Sequence, residues 1–243
     1  MSGTKRELLL NGRKITLIGT AHVSAESVVE VENTIRELKP DCVAIELDDK
    51  RAESITNKDK FRELDIVKVL KNNQGFLLIA NLILSTYQKR MGNDVGVQPG
   101  EEMLKGMEVS SELGIPVVMA DRPIQITLKR AWSKSSFWGK CKLLSALLSS
   151  AFTKEELSET EIENIKNKNE MDSMMTELAD FLPVIKEVLI DERDSYLATK
   201  IWESSGDNIV AVLGAGHMNG VVANLEKYAA EGKTKDIEEI SSI

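Results

Sequence analysis

KITLIGTAHVSAESVVEVENTIRELKPDCVAIEL, residues 14–47, reads as a strand, a helix and a second strand, and that reading decides the fold. KITLIGT is a β-rich apolar run that delivers Ala21 and His22. Ser24 then caps a helix, with Glu26 in its first turn where the helix dipole favours a negative charge. Val28, Val31, Ile35 and Leu38 recur at helical spacing, and Pro40 stops the helix. DCVAIEL is a continuous apolar run, the mark of a strand buried on both faces, and it ends at Glu46. A strand, helix and strand in about 30 residues form a βαβ unit, which makes the two strands parallel neighbours.

The pattern extends in both directions. Upstream, ELLLNGRKITL reads as a hairpin, because Asn11-Gly12 is a favoured two-residue turn. Downstream, residues 50–110 read as mostly helical around a Gly/Asn/Pro break. Glu101 and Glu102 open a helix after Pro99-Gly100, and it ends near Leu113-Gly114. IPVVMA is a third buried strand, ending at Asp121-Arg122-Pro123. Residues 133–182 look helical and polar, with a capping box at Thr153 to Glu156, and read as an insert or appendage. Pro183 opens a long helix to about Ser204, closed by Gly206. NIVAVLGAG, 208–216, is the last strong strand and delivers His217. A helix over 220–230 and a short strand in KDIEEI complete the chain. The expected fold is α/β: a mostly parallel central sheet flanked by helices, an N-terminal hairpin, and one domain over 1–243 with a helical insert at about 133–182.

Composition narrows the function classes. The chain has 243 residues, 42% of them hydrophobic, enough for a sizeable core. Its net charge is -8, no Lys/Arg-rich block stands out, and aromatic residues make up 5%. Nucleic-acid binding is therefore not expected. The two cysteines, Cys42 and Cys141, form no CxxC pair, and Cys42 reads as a core residue, so a reducing cytoplasm fits. The longest apolar run, FLLIANLIL at 76–84, is about half the ~20 residues of a membrane span.

In a parallel sheet, ligands bind outside the carboxyl ends of the strands. Here those ends carry Thr20 and His22, Glu46, Asp121 and Arg122, and Gly214 to His217. Both histidines have glycine three positions earlier, as Gly19-Thr-Ala-His22 and Gly214-Ala-Gly-His217, and glycine would let the chain turn sharply off the strand. Two imidazoles and a carboxylate make a metal site with open positions, so His22, His217 and Glu46 are the expected ligands of a divalent ion of Mn, Co or Zn type. Glu46 could equally be a general base or a rim carboxylate. Arg122 could steady an oxyanion or pair with Asp121 or Glu46. The long helix carries Glu192-Arg193-Asp194, with Glu192 on its apolar stripe. Buried charge needs partners, which makes Arg193 to Glu46 and Glu192 to Arg122 the candidate pairs. Glu101 is a weaker further acid. That helix could pair across a homodimer or cover the sheet.

VAVLGAGHMNG also reads like a dinucleotide-binding turn, with Asp236 or Glu238 about 20 residues on. Fewer than 30 residues follow it, too few for the mononucleotide-binding unit that should come next.

GTAHVS, VAIELDxxR to Arg51, PGEEM, ADRPIQITLKRAW, ERDxYLA and VLGAGHMNG, in that order from about 15 to 225, together resemble the TraB/PrgY/GumN family, above all its archaeal branch of pheromone shutdown proteins. The stretch 133–180 matches least. That family is related to the Tiki metalloproteases, which share two Gly-x-x-His motifs. More distantly it is related to haem- and erythromycin-esterase-type proteins. The resemblance implies a metal-dependent, peptidase-like hydrolase acting on peptides. It puts metal binding on His22 and His217, with Glu46 as third ligand or base, and catalytic or structural support on Arg122 and Arg193. A pheromone-shutdown role also permits a protein that sequesters a peptide or a metal-bearing ligand without cleaving it. Many archaeal members carry a C-terminal membrane segment, so the resemblance implies a cytoplasmic protein, or one held at a membrane by a tether in a longer parent chain.

Overall fold

The computed structural model of the chain describes residues 5–20, 25–56, 100–142, 145 and 183–242. His22, Ser24, residues 57–99 of the helical stretch expected over 50–110, and most of the expected insert lie outside the described residues.

β1 (Lys5–Leu10) and β2 (Arg13–Thr20) form the expected hairpin. Asn11 and Gly12 both have positive φ, 50° and 84°, as its two-residue turn requires. The helix α1 (Ala25–Leu38) and the strand β3 (Cys42–Ile45) complete the βαβ unit. After α2 (Asp49–Thr56) come α3 (Glu101–Leu113), β4 (Val117–Met119) and α4 (Ile124–Lys134). The long helix is built in three parts: α5 (Pro183–Lys186), a π turn (Glu187–Asp191) and α6 (Glu192–Trp202). The chain continues with β5 (Asn208–Gly214), a 3-10 turn (Ala215–His217), α7 (Met218–Glu231) and α8 (Ile237–Ser241).

The five strands form one sheet in the order β1-β2-β5-β3-β4. β1 is antiparallel to β2, and the pairs β2–β5, β5–β3 and β3–β4 are parallel. The mostly parallel α/β sheet with an N-terminal hairpin is thus as expected from the sequence. KDIEEI is not a strand. Asp236 accepts the Glu238 N–H and caps the short helix α8, and a capped turn satisfies these backbone groups without a sheet edge to join.

Strand alternation sends side chains to two faces, and each face is covered. Ile15, Leu17, Ala44, Ile209, Ala211 and Leu213 pack on Leu197, Ala198 and Ile201 of α6 and on Val221 and Leu225 of α7. Ile18, Val43, Ile45, Val210 and Val212 pack on Val31 and Ile35 of α1 and on Met103 and Val109 of α3. The apolar stripe of the long helix therefore meets the sheet along α6, while Ile185 and Val188 before it pack with Ala131 of α4. Cys42 is fully buried, as its apolar surroundings predict. Arg13, at the start of β2, caps the carboxyl end of α6 by donating to the carbonyls of Trp202, Ser204 and Gly206, where the helix dipole favours a cation. Gly206 is held to glycine twice over: its φ is +93°, and a Cβ would lie 2.2 Å from Asp41. Asp41 in turn accepts the N–H groups that start β5.

Candidate functional site

Because β2, β5, β3 and β4 run the same way, their carboxyl ends share one edge of the sheet. The parity of β3 aims Glu46. Val43 and Ile45 face α1 and α3, so Glu46 falls on the Ala44 side, where α6 lies. Its Oε2 accepts the N–H of Gly214 at 2.6 Å, and its Oε1 accepts from Arg193 Nη2 at 2.8 Å. Oε1 also lies 3.5 Å from Nε2 of His217.

His217 ends the 3-10 turn that leaves β5, and its Nδ1 is 2.5 Å from Oδ1 of Asp194. That contact depends on Gly220, three residues on in α7, because a Cβ there would sit 1.8 Å from Asp194 Oδ2. The glycines of the paired motif act differently from the sequence expectation. Gly19 and Gly214 are both strand residues within the β2–β5 ladder, and Gly214 is extended at φ −63°, so neither turns the chain by a glycine-only conformation. Gly214 instead contributes its N–H to Glu46.

α6 opens on Glu192, Arg193 and Asp194, which leave the helix about 100° apart and reach three different partners. Arg193 bridges two strand ends: Nη2 meets Glu46 and Asp121 Oδ2, each at 2.8 Å, and Nε meets Asp121 Oδ1 at 3.0 Å. Asp194 holds His217. Glu192 turns to the interior and accepts from Arg122 at 2.7 Å and from Arg130 at 2.7 and 2.9 Å. Both pairs that the sequence proposed therefore form. The dipeptides Asp121-Arg122 and Glu192-Arg193 pair crosswise, acid to base, in two adjacent rungs.

The structure puts Arg122 and Glu192 in that interior network. Arg122 is fully buried, and its donors go to Thr127, Glu192 and the carbonyls of Ile240 and Val188. Glu46, Arg193 and His217 share the sheet edge, and the structure adds Asp121 and Asp194. Glu102, nearly fully buried at the start of α3, comes within 3.4 Å of Thr20 Oγ1 at the end of β2 and so joins the edge. Its neighbour Glu101 is exposed. Sequence reasoning passed over Asp194 and Glu102 as catalytic candidates. The available signals were a second acid beside Glu192 in a segment that had to be buried, and a glycine in the first turn of α7 where a helix gains nothing from it.

The electrostatics follow from burial and pairing. Burial alone would push the His217 imidazole down, but the charge of Glu46 and the Asp194 hydrogen bond outweigh it and raise its pKa. Burial raises the Asp194 carboxyl, with the His217 bond pulling against it. Burial opposes the Arg193 charge, yet Asp121 and Glu46 more than restore it, so this guanidinium is firmly cationic. A dinucleotide phosphate would find this edge hostile: the Gly214 N–H is already taken by a carboxylate, and Glu46 and Asp194 face the same turn. Among the described residues, which exclude His22, no group of three His, Cys, Asp or Glu side chains is arranged to hold a metal ion.

Comparisons with known proteins agree with one another. The model of the TraB/PrgY/gumN family matches residues 7–236. An uncharacterised protein of Methanocaldococcus jannaschii is 39% identical over 238 residues, covering 96% of this chain and 58% of that protein. TraB domain-containing proteins of mouse and human are 28% and 26% identical over 240 residues, covering 88% of this chain and 63% of theirs. The chain thus spans about three fifths of the length of the curated relatives it matches.

Proposed function

The chain belongs to the TraB/PrgY/gumN family, and on that premise we propose that its sheet edge is the site of a metal-dependent hydrolase acting on peptides. The observation that supports this reading is the line Asp194–His217–Glu46. A carboxylate on Nδ1 fixes the imidazole and leaves Nε2 facing Glu46, the arrangement found behind metal-bound histidines. The 3.5 Å from Nε2 to Glu46 Oε1 is close to the edge of a tetrahedron with metal–ligand bonds of ~2.1 Å, so these two donors fit one ion. His217 and Glu46, with His22 from the sequence pattern, would hold an ion of Mn, Co or Zn type. When bound, such an ion polarises a carbonyl and acidifies water.

The chain's own residues supply the rest. Asp194 keeps a proton on Nδ1 and leaves the Nε2 lone pair available. Arg193, anchored between Glu46 and Asp121, keeps a fixed positive charge at the edge and would stabilise an oxyanion developing there. Where it does not hold the ion, Glu46 is the carboxylate placed to act as the base, accepting a proton from water at the same point.

The test is elemental analysis of purified protein, with mass-spectrometric cleavage of a peptide library by wild type, His217→Ala and Glu46→Gln. The expected result is a bound divalent ion lost in His217→Ala, and turnover reduced about 10²-fold or more in Glu46→Gln. A wild type that holds no ion and cleaves nothing overturns the proposal.

One observation favours a second reading, a binder without turnover. Both oxygens of Glu46 already accept hydrogen bonds, from Arg193 and Gly214, which weakens it as a base. A peptide or metal-bearing ligand retained equally by wild type and Glu46→Gln, with turnover by neither, would decide for that reading.

A further inference from the structure

Past the end of α4, the fold holds two aromatic rings out in water. Phe137 and Trp138 are 73% and 75% exposed, whereas large apolar side chains elsewhere in the described residues are mostly buried. Leaving such area hydrated gives up the gain of burying it, so a paired patch of this kind marks a contact surface. The rings do not hang on a loose chain. Ser136 caps the helical turn that carries them, accepting the Gly139 N–H on its hydroxyl at 3.1 Å and the Lys140 N–H on its carbonyl at 2.9 Å. The two rings meet edge to face, 5.9 Å apart.

Along the chain, the charge on either side of them is one-sided. Residues 122–154 contain seven Lys or Arg and no Asp or Glu, in a chain of net charge -8. What sets the stretch apart is the missing acids; the bases are not dense. Arg122, Arg130 and Lys134 are committed to Glu192 and Glu187. Lys129 and Lys140 stand outside that network, Lys142 is exposed, and Lys140 lies over the Trp132 ring at 5.3 Å.

We propose that residues 129–142 form a docking surface for an anionic lipid bilayer. Phe137 and Trp138 enter the boundary between headgroups and acyl chains, where rings with an apolar body and, in Trp, a polar N–H are at home. Lys129, Lys140 and Lys142 meet lipid phosphates, their stems lying along the apolar layer. The acidic remainder of the chain is repelled by such a membrane, so charge complementarity selects this face and fixes the orientation. Binding needs no spanning segment, and none of the described helices is long and apolar enough to cross a bilayer.

The test uses the full chain with vesicles of phosphatidylcholine, alone or with phosphatidylglycerol, in flotation at low and high salt. Expected is flotation with the anionic vesicles only, weakened by salt, lost in F137S/W138S, and reduced about fivefold per lysine in K140A/K142A. An environment-sensitive dye on Cys141, which is exposed while Cys42 is buried, reports the same contact in otherwise wild-type protein by a blue shift on the anionic vesicles. Three results each overturn the proposal: no flotation and no dye shift, equal flotation by F137S/W138S, or a wild-type dimer by sedimentation that F137S/W138S converts to monomer without any lipid binding. The last would assign the face to a second copy of the chain.

Discussion

At Gly220 the absence of a single methyl group decides whether Asp194 can reach His217. Alanine is ordinarily the better helix residue by ~0.5–1 kcal/mol, so at an undemanding position Gly220→Ala would stabilise α7. Here its Cβ would lie 1.8 Å from the Asp194 carboxylate, which must move. Gly220→Ala is expected to destabilise the protein by ~1–3 kcal/mol in urea unfolding, the cost of overpacking. A variant as stable as wild type, or more so, would show that Asp194 is not held by this close approach. Asp194 and Gly220 could not be read together from sequence, because they lie 26 positions apart and meet only where α6 packs on α7. Glu46 and His217 were legible, because each is a polar group at the end of an apolar strand.

The first turn of α6 joins the sheet edge to the interior. It follows directly on the π turn, whose Val188 carbonyl accepts from Arg122. The sequence showed one long helix but not this irregularity, because residues 187–191 carry no Pro, Gly or other local signal that would break the pattern. Arg193 gives the element-scale prediction. Its planar fork serves Glu46 and Asp121 together, and a lysine offers a single charge that cannot span both. Arg193→Lys is expected to cost ~1–3 kcal/mol of stability. A double-mutant cycle with Asp121→Asn should show a coupling of at least ~1 kcal/mol. Additive effects of the two substitutions would mean that the bridge contributes nothing.

For the molecule as a whole, the interior ion network sets the response to acid. Burial would raise the Glu192 carboxyl, but bonds from Arg130, Arg122 and Lys134 outweigh it and hold its pKa at about 2 instead of the ordinary 4.5. A depressed carboxylate stabilises the fold above the unfolded value and loses that contribution as pH falls through the folded one. The window is therefore pH 4.5 down to about 2, and the gap corresponds to about 3 kcal/mol. Glu192→Gln should lose about that at pH 7, because it removes the charge that faces the buried Arg122 and Arg130, and its stability curve should approach that of wild type near pH 2. A difference that does not change with pH would remove Glu192 from the account. By itself the sequence determined the βαβ core, the mostly parallel sheet and the edge on which polar strand ends gather, because side-chain periodicity and strand direction are local properties that add along the chain. It also named the two pairs that cross from α6. Only the tertiary structure decided which of those charges face the edge and which face the interior. That choice depends on the rotation of α6 against β3 and β4, set by packing between residues some 70 to 150 positions apart, and no local pattern records it.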